Sequence, residues 1–121
     1  MAILLMAAIF AISSRPSDDL PSFGGWDYFV KKAGHAVGYG LLALAYLRGL
    51  DSSARPYTCI QVNIYVLAWL LAVLYSVTDE FHQSFVAGRH PSVWDVMLFD
   101  NLGAVLALLL YRYRMPMLIR R

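Results

Sequence analysis

Four apolar runs alternate along the chain with short polar breaks. Met1 to Ser14 (MAILLMAAIFAISS) is the first. It opens without Lys or Arg, so it lacks the basic start of a signal peptide and is expected to be a first transmembrane helix. Fourteen residues span roughly 21 Å, short of the ~30 Å hydrocarbon core. Arg15 to Lys31 is expected to be a loop, broken by Pro16, Pro21, Gly24 and Gly25, with Trp26, Tyr28 and Phe29 as interface anchors. The second helix is predicted from Lys32 to Leu50. Within it, Gly34 and Gly38 form a small-xxx-small pair expected to admit a neighbouring helix. A polar turn with Pro56 follows over Asp51 to Tyr57. Thr58 to Thr78 carries no charge over 21 residues and runs on through Asp79 to Gln83. It is the clearest span, a helix predicted over 58–83. Val86 to Pro91 reads as a turn, and Ser92 to Tyr113 as the fourth helix. The expected architecture is all-α: one domain over 1–121, a four-helix transmembrane bundle with short loops.

Composition strengthens the membrane reading. Of 121 residues, 60% are hydrophobic and 15% charged, against about a quarter charged in ordinary soluble domains. Mean hydropathy is +0.55. A net charge of +2 with no basic block argues against nucleic acid as a partner. Cys59 is alone, so no internal disulfide and no cysteine metal cluster is expected. Arg48, Arg55, Arg112, Arg114, Arg120 and Arg121 fall on one side of a four-span chain, six of the ten basic residues. Both termini are therefore expected in the cytoplasm. Oligomeric state is left open, a homo-oligomer included.

Against this background one stretch stands out. Tyr75 to Gly103 gathers Asp79, Glu80, His82, Gln83, Arg89, His90, Asp95 and Asp100 between apolar runs. Ionisable residues are expensive in a membrane and mark functional sites there by default. The topology brings the start of helix two, the end of helix three and the start of helix four to one depth, at the extracytoplasmic face. Lys32, His35 and Tyr39 share a face of helix two. Asp79, His82 and Gln83 share a face of helix three. A carboxylate beside an imidazole is an acid–base unit. The plainer account is a hydrated helix end.

The remaining residues divide the same way. Arg89 can fork onto phosphate or carboxylate, or snorkel to lipid headgroups. Asp95, three residues past Ser92, suits a capping box. Asp100 is eight residues past Ser92 and so roughly 12 Å deeper than that residue, where an aspartate costs roughly 2.5–3.5 kcal/mol unless paired, protonated or hydrated. Lys32, His35 and Arg89 are its candidate partners. His35, Asp79, Glu80 and His82 make a conceivable metal set, but no HExxH spacing supports one. No phosphate loop or nucleophile elbow occurs, and the cofactor is left open.

These motifs resemble the VanZ-like family of small bacterial membrane proteins, named for a protein linked to resistance to the glycopeptide teicoplanin. The resemblance covers nearly the whole chain. It rests on IFAISSRPS, on KKAGHAVGYGLLA with Lys32, His35 and Tyr39, and on DEFHQSFVAGRHPSVWDV. In the last stretch Asp79, Glu80, His82, Gln83, Phe85, Gly88, Arg89 and Asp95 match in type and spacing; Asp100 to Gly103 looks like the closing acid-x-x-Gly. Ala87 replaces a usual proline. Asp95 and Asp100 stand five apart where the family commonly has four. Five residues turn a regular helix by about 140° net, so the two share a face only if a π-bulge forms near Phe99.

Two functional expectations follow. One is an envelope enzyme with His35, Asp79, Glu80 and His82 as acid–base groups. Lys32, Tyr39, Gln83, Arg89, Asp95 and Asp100 would bind a lipid-linked or envelope substrate through its anionic group. The other is a non-catalytic module that binds an antibiotic, a lipid or a cell-wall precursor. A proton pathway is the weaker third.

Overall fold

The computed structural model describes residues 1–16, 19, 21–22, 24–53, 63–89 and 92–119. Among these residues the chain is helical, with no strand. Helix α1 is Ala2–Ser13, and α2 is Asp27–Ser53, preceded by a 3-10 turn at Gly24–Trp26. Helix α3 is Ile64–Gln83. A π-helical segment, Asp95–Asp100, leads into α4 at Asn101–Ile119.

Four boundaries depart from expectation, one of them the end of α2, which runs past Leu50 through Asp51, where the turn was expected to begin, to Ser53. Helix α2 starts at Asp27, five residues before Lys32. A carboxylate in the first turn complements the helix N-terminus, and Asp27 bonds Lys31 one turn on, at 2.7 Å. Trp26 precedes that first turn, and Tyr28 and Phe29 sit on it, all three exposed. Helix α3 starts at Ile64 because Asn63 is its N-cap, extended at φ −66° and ψ 103°. Its side chain accepts the Tyr65 N–H at 3.1 Å, satisfying one of the orphan donors of the first turn. The start expected at Thr58 and the turn around Pro56 fall outside the described residues. Helix α4 runs past Tyr113 to Ile119.

Helix α2 is the hub, touching α1, α3 and α4. Its closest approach is to α4, but not through Gly34 and Gly38. A Cβ on Gly103 would collide with the Ala36 carbonyl, and one on Gly40 would sit 3.0 Å from the Gly103 oxygen and 3.2 Å from the Ala107 Cβ. Ala36-xxx-Gly40 thus faces Gly103-xxx-Ala107, two small-residue pairs that let the backbones touch. A Cβ on Gly34 would meet nothing within 4 Å, and one on Gly38 only Ile9, at 3.9 Å.

The apolar core is thin: Ala43, Leu47, Ala68, Ala72, Ala104 and Leu108. Ser13, Ser76, Asp79, Glu80, Gln83 and Asp100 are buried as well, while Leu74, Leu102 and Leu110 are more than half exposed. These six polar or charged side chains are thus inside, while large apolar ones such as the three leucines lie outside. Among the described residues two helices, Ile64–Gln83 and the stretch Val96–Arg114, are long and apolar enough to cross a membrane. Helix α1 is apolar but has only 12 residues. Helix α2 carries Asp27, Lys31, Lys32, Arg48 and Asp51.

Candidate functional site

The polar face of α3 turns toward the end of α1. Asp79, only 3% exposed, accepts three hydrogen bonds on Oδ2. The donors are Ser13 Oγ at 2.8 Å, Tyr39 OH at 3.0 Å and Gln83 Nε2 at 3.0 Å. Its Oδ1 has no partner. Gln83 also donates to Ser13 Oγ at 3.2 Å. One turn along the same face, His82 Nε2 meets Ser14 Oγ at 3.0 Å, and its ring lies 4.5 Å from that of Phe10. The Ser14 hydroxyl gives its single proton to the Phe10 carbonyl at 2.7 Å. It must therefore accept from His82, which fixes the proton on Nε2. The face-sharing of Asp79, His82 and Gln83 read from their spacing is present, and it docks α1.

Arg89 completes this dock. Its Nε donates to the Arg15 carbonyl at 3.3 Å and its Nη2 to the Ile12 carbonyl at 3.1 Å. A cation bonded to the carbonyls that end a helix complements its negative pole. Gly88, at φ 71°, makes the turn that brings Arg89 back over α1.

Asp100, 2% exposed, forms a second centre. Its Oδ2 accepts from Ser76 Oγ at 2.5 Å. Its Oδ1 lies 3.6 Å from His35 Nδ1, an ion-pair contact longer than a hydrogen bond. Of the three candidate partners it takes His35. Arg89 is engaged on α1, and the Lys32 ammonium sits 5.5 Å from the Tyr28 ring centre. The π segment matters here. Its bonds close over five residues, so Asp95 and Asp100 occupy backbone positions about one turn apart. Asn101 Nδ2 donates to the Met97 carbonyl at 3.4 Å, and its Oδ1 takes the Trp69 indole N–H at 2.6 Å, pinning the end of the segment to α3. For Asp95 only the backbone is described, so its capping and binding roles lie outside that description, as does all of His90.

Glu80 faces the other way from Asp79. Its Oε1 accepts the Ser92 backbone N–H at 2.5 Å, placing a negative charge at the start of the fourth helical segment.

Two cavities adjoin these groups. A polar chamber of about 460 Å³ is walled by Lys31, Lys32, His35, Glu80, Gln83 and Arg89, together with Asp27, Tyr28 and glycines 24, 25 and 88. Five of the residues singled out from the sequence, namely Lys32, His35, Glu80, Gln83 and Arg89, thus share one space. Asp79, Asp100 and His82 do not line it. An apolar cleft of about 260 Å³ lies beside it between α1 and α2, over Gly34 and Gly38. Tyr39 lines this cleft.

Among the described residues no three His, Cys, Asp or Glu side chains gather as a metal site. The conceivable set is dispersed: His35 is on Asp100, Asp79 on Ser13 and Tyr39, Glu80 on Ser92, and His82 on Ser14.

Sequence reasoning overlooked Ser13 and Ser76 as partners of the acids, and Ser14 as the partner of His82. Ser76 carried a signal, since it stands three residues before Asp79 on the same helix face. The two serines of α1 showed only as the end of an apolar run.

No curated protein and no solved structure matches the chain. The family model described as VanZ/LLP1 matches residues 1–119, which takes in both acid centres and every wall of the chamber. The chain belongs to the VanZ/LLP1 family.

Proposed function

We propose that this chain is a membrane-embedded bacterial envelope enzyme that performs acid–base chemistry on a lipid-linked or envelope substrate bearing an anionic group. The observation that carries the reading is the chamber in which His35, backed by buried Asp100, faces a wall of three cations and two carboxylates. With Nδ1 turned to Asp100, Nε2 is the nitrogen left for proton transfer. Glu80, on the opposite wall, is the second titratable group. Lys32 and Arg89 hold a phosphate or carboxylate. Asp79 and His82 serve by docking α1, and Asp100 by orienting His35.

The setting in this reading is the cytoplasmic membrane, with four spans and both termini inside. The inverted distribution of polar and apolar side chains supports it, since soluble monomers rarely expose large contiguous apolar patches. Lowered susceptibility to teicoplanin-like glycopeptides is the cellular consequence the family suggests.

A binding module without catalysis is the second reading. It is favoured by how many of the polar groups are already committed: Arg89 to two carbonyls, Glu80 to Ser92, Asp79 to three donors. Its ligand would be an antibiotic, a lipid or a precursor.

Purified protein incubated with extracted envelope lipids and precursors decides between the two. Catalysis predicts a new product by mass spectrometry that His35→Gln abolishes. Absence of product, with full cellular phenotype in Glu80→Gln, overturns the enzyme. A saturating rise in melting temperature with one ligand, weakened in graded fashion by Lys32→Ala and Arg89→Ala, supports the module.

A further inference from the structure

We infer that the α1–α2 cleft over Gly34 and Gly38 is a slot for the hydrocarbon chain of an anionic lipid, whose head occupies the adjoining polar chamber. The inference rests on the reading that the chamber takes an anionic group, and it names the class of molecule: a phosphate-headed amphiphile with a chain lying against α2.

Three observations lead there. First, Gly34 and Gly38 do not pack a helix. Ala36 and Gly40 on the same helix do that work against α4, while a Cβ on Gly34 would meet nothing within 4 Å and one on Gly38 only the Ile9 side chain, at 3.9 Å. Glycine inside a helix costs about 1 kcal/mol relative to alanine, so two of them one turn apart, with no backbone to admit, leave a groove and little else. Second, the groove is a cavity of about 260 Å³ walled by Ile9 and Ile12 of α1 and the bare backbone of α2. At about 30 Å³ each it has room for roughly nine water-sized groups. An apolar space of that kind does not hold water well. Third, Lys31, His35 and Arg89 line both the cleft and the chamber. An apolar slot therefore ends at fixed cations, which outnumber the carboxylates of the chamber three to two. A tail alone would not need the cations, and a free phosphate would not need the slot. A lipid with an anionic head uses both.

The test uses the full chain in neutral-detergent micelles, titrated with inorganic phosphate, butyl phosphate, dodecyl phosphate and dodecanol while the melting temperature is followed. The expected result is saturable stabilisation by dodecyl phosphate at a concentration at least tenfold below that for butyl phosphate, and none by dodecanol. Gly34→Leu and Gly38→Leu fill the slot. Each is expected to erase the tenfold advantage and leave the response to butyl phosphate unchanged. Gly38→Ala is the folding control and keeps the advantage. If both leucine variants retain it, the chain lies in the micelle and the slot is refuted. If butyl and dodecyl phosphate bind equally, the slot is refuted while the anionic chamber stands. If no phosphate binds and Lys32→Ala changes nothing, the chamber reading falls and takes the slot with it.

Discussion

The Tyr39 hydroxyl donates to Asp79 Oδ2 at 3.0 Å, and this bond ties α2 to α3 at the point where Ser13 of α1 joins them. Tyr39 is 1% exposed and Asp79 3%, so neither group can turn to water instead. Tyr39→Phe removes one of three donors and keeps the ring. Hydrogen bonds between membrane helices average about 0.6 kcal/mol and reach about 1.7. A loss of about 1 kcal/mol is expected, read as a shift in the denaturant midpoint of the purified protein. Asp79→Ala should cost more, because Ser13, Tyr39 and Gln83 lose their shared acceptor together.

Arg89 should matter to α1 before it matters to any ligand. Its two bonds to the Ile12 and Arg15 carbonyls hold the C-terminus of a helix that otherwise meets the bundle through Ser13, Ser14 and two tyrosines on Met6. Arg89→Ala is expected to raise hydrogen exchange across α1 severalfold and leave α4 unchanged. Arg89→Lys should restore only part, since an ammonium cannot fork to two carbonyls as a guanidinium does. Equal exchange in α1 for wild type and Arg89→Ala would remove the clamp from the account.

The sequence exposed the acids, and for Asp100 it offered His35 among three partners, but it did not show the serines that bind them. Asp100 was legible because an aspartate inside an apolar run must be compensated, and the five-residue gap to Asp95 pointed to a π-bulge as the way for the two to share a face, which the segment Asp95–Asp100 supplies. The helix-packing glycines were misassigned for a physical reason. Gly34-xxx-Gly38 and Ala36-xxx-Gly40 are both small pairs four apart, and spacing alone does not say which side of α2 meets α4. That side is settled by Gly103, where only a glycine escapes the Ala36 carbonyl. The break at Asn63 ahead of α3 was missed likewise. The absence of charge from Thr58 onward masked Asn63, whose side chain competes for the backbone and sets the cap.

Gly103 and Gly34 therefore predict opposite outcomes for the same substitution. Gly103→Ala drives a methyl group into the Ala36 carbonyl and must separate α2 from α4. Overpacking of this kind costs typically 1–3 kcal/mol, and backbone makes the less yielding neighbour. Gly34→Ala meets nothing within 4 Å and should stabilise by up to about 1 kcal/mol through helix propensity. Thermal unfolding of the two variants side by side is the check. A destabilised Gly34→Ala would mean that the groove is occupied by protein.

His35 and Asp100 should behave as one unit. Their 3.6 Å contact places an imidazole against a carboxylate that is almost sealed from solvent, and Ser76 holds the other oxygen. Asp100→Asn keeps an acceptor for Ser76 but removes the charge beside His35, and His35→Gln removes the imidazole and keeps the carboxylate. Each single change is expected to destabilise, His35→Gln the more, because it leaves a buried charge without its partner. The double variant should cost less than the sum by about 0.5–3 kcal/mol, the range for residues in direct contact. Unfolding midpoints of the four proteins close the cycle. Additive losses would show that Asp100 answers to Ser76 alone, and His35 would then stand in the chamber with no buried carboxylate behind it.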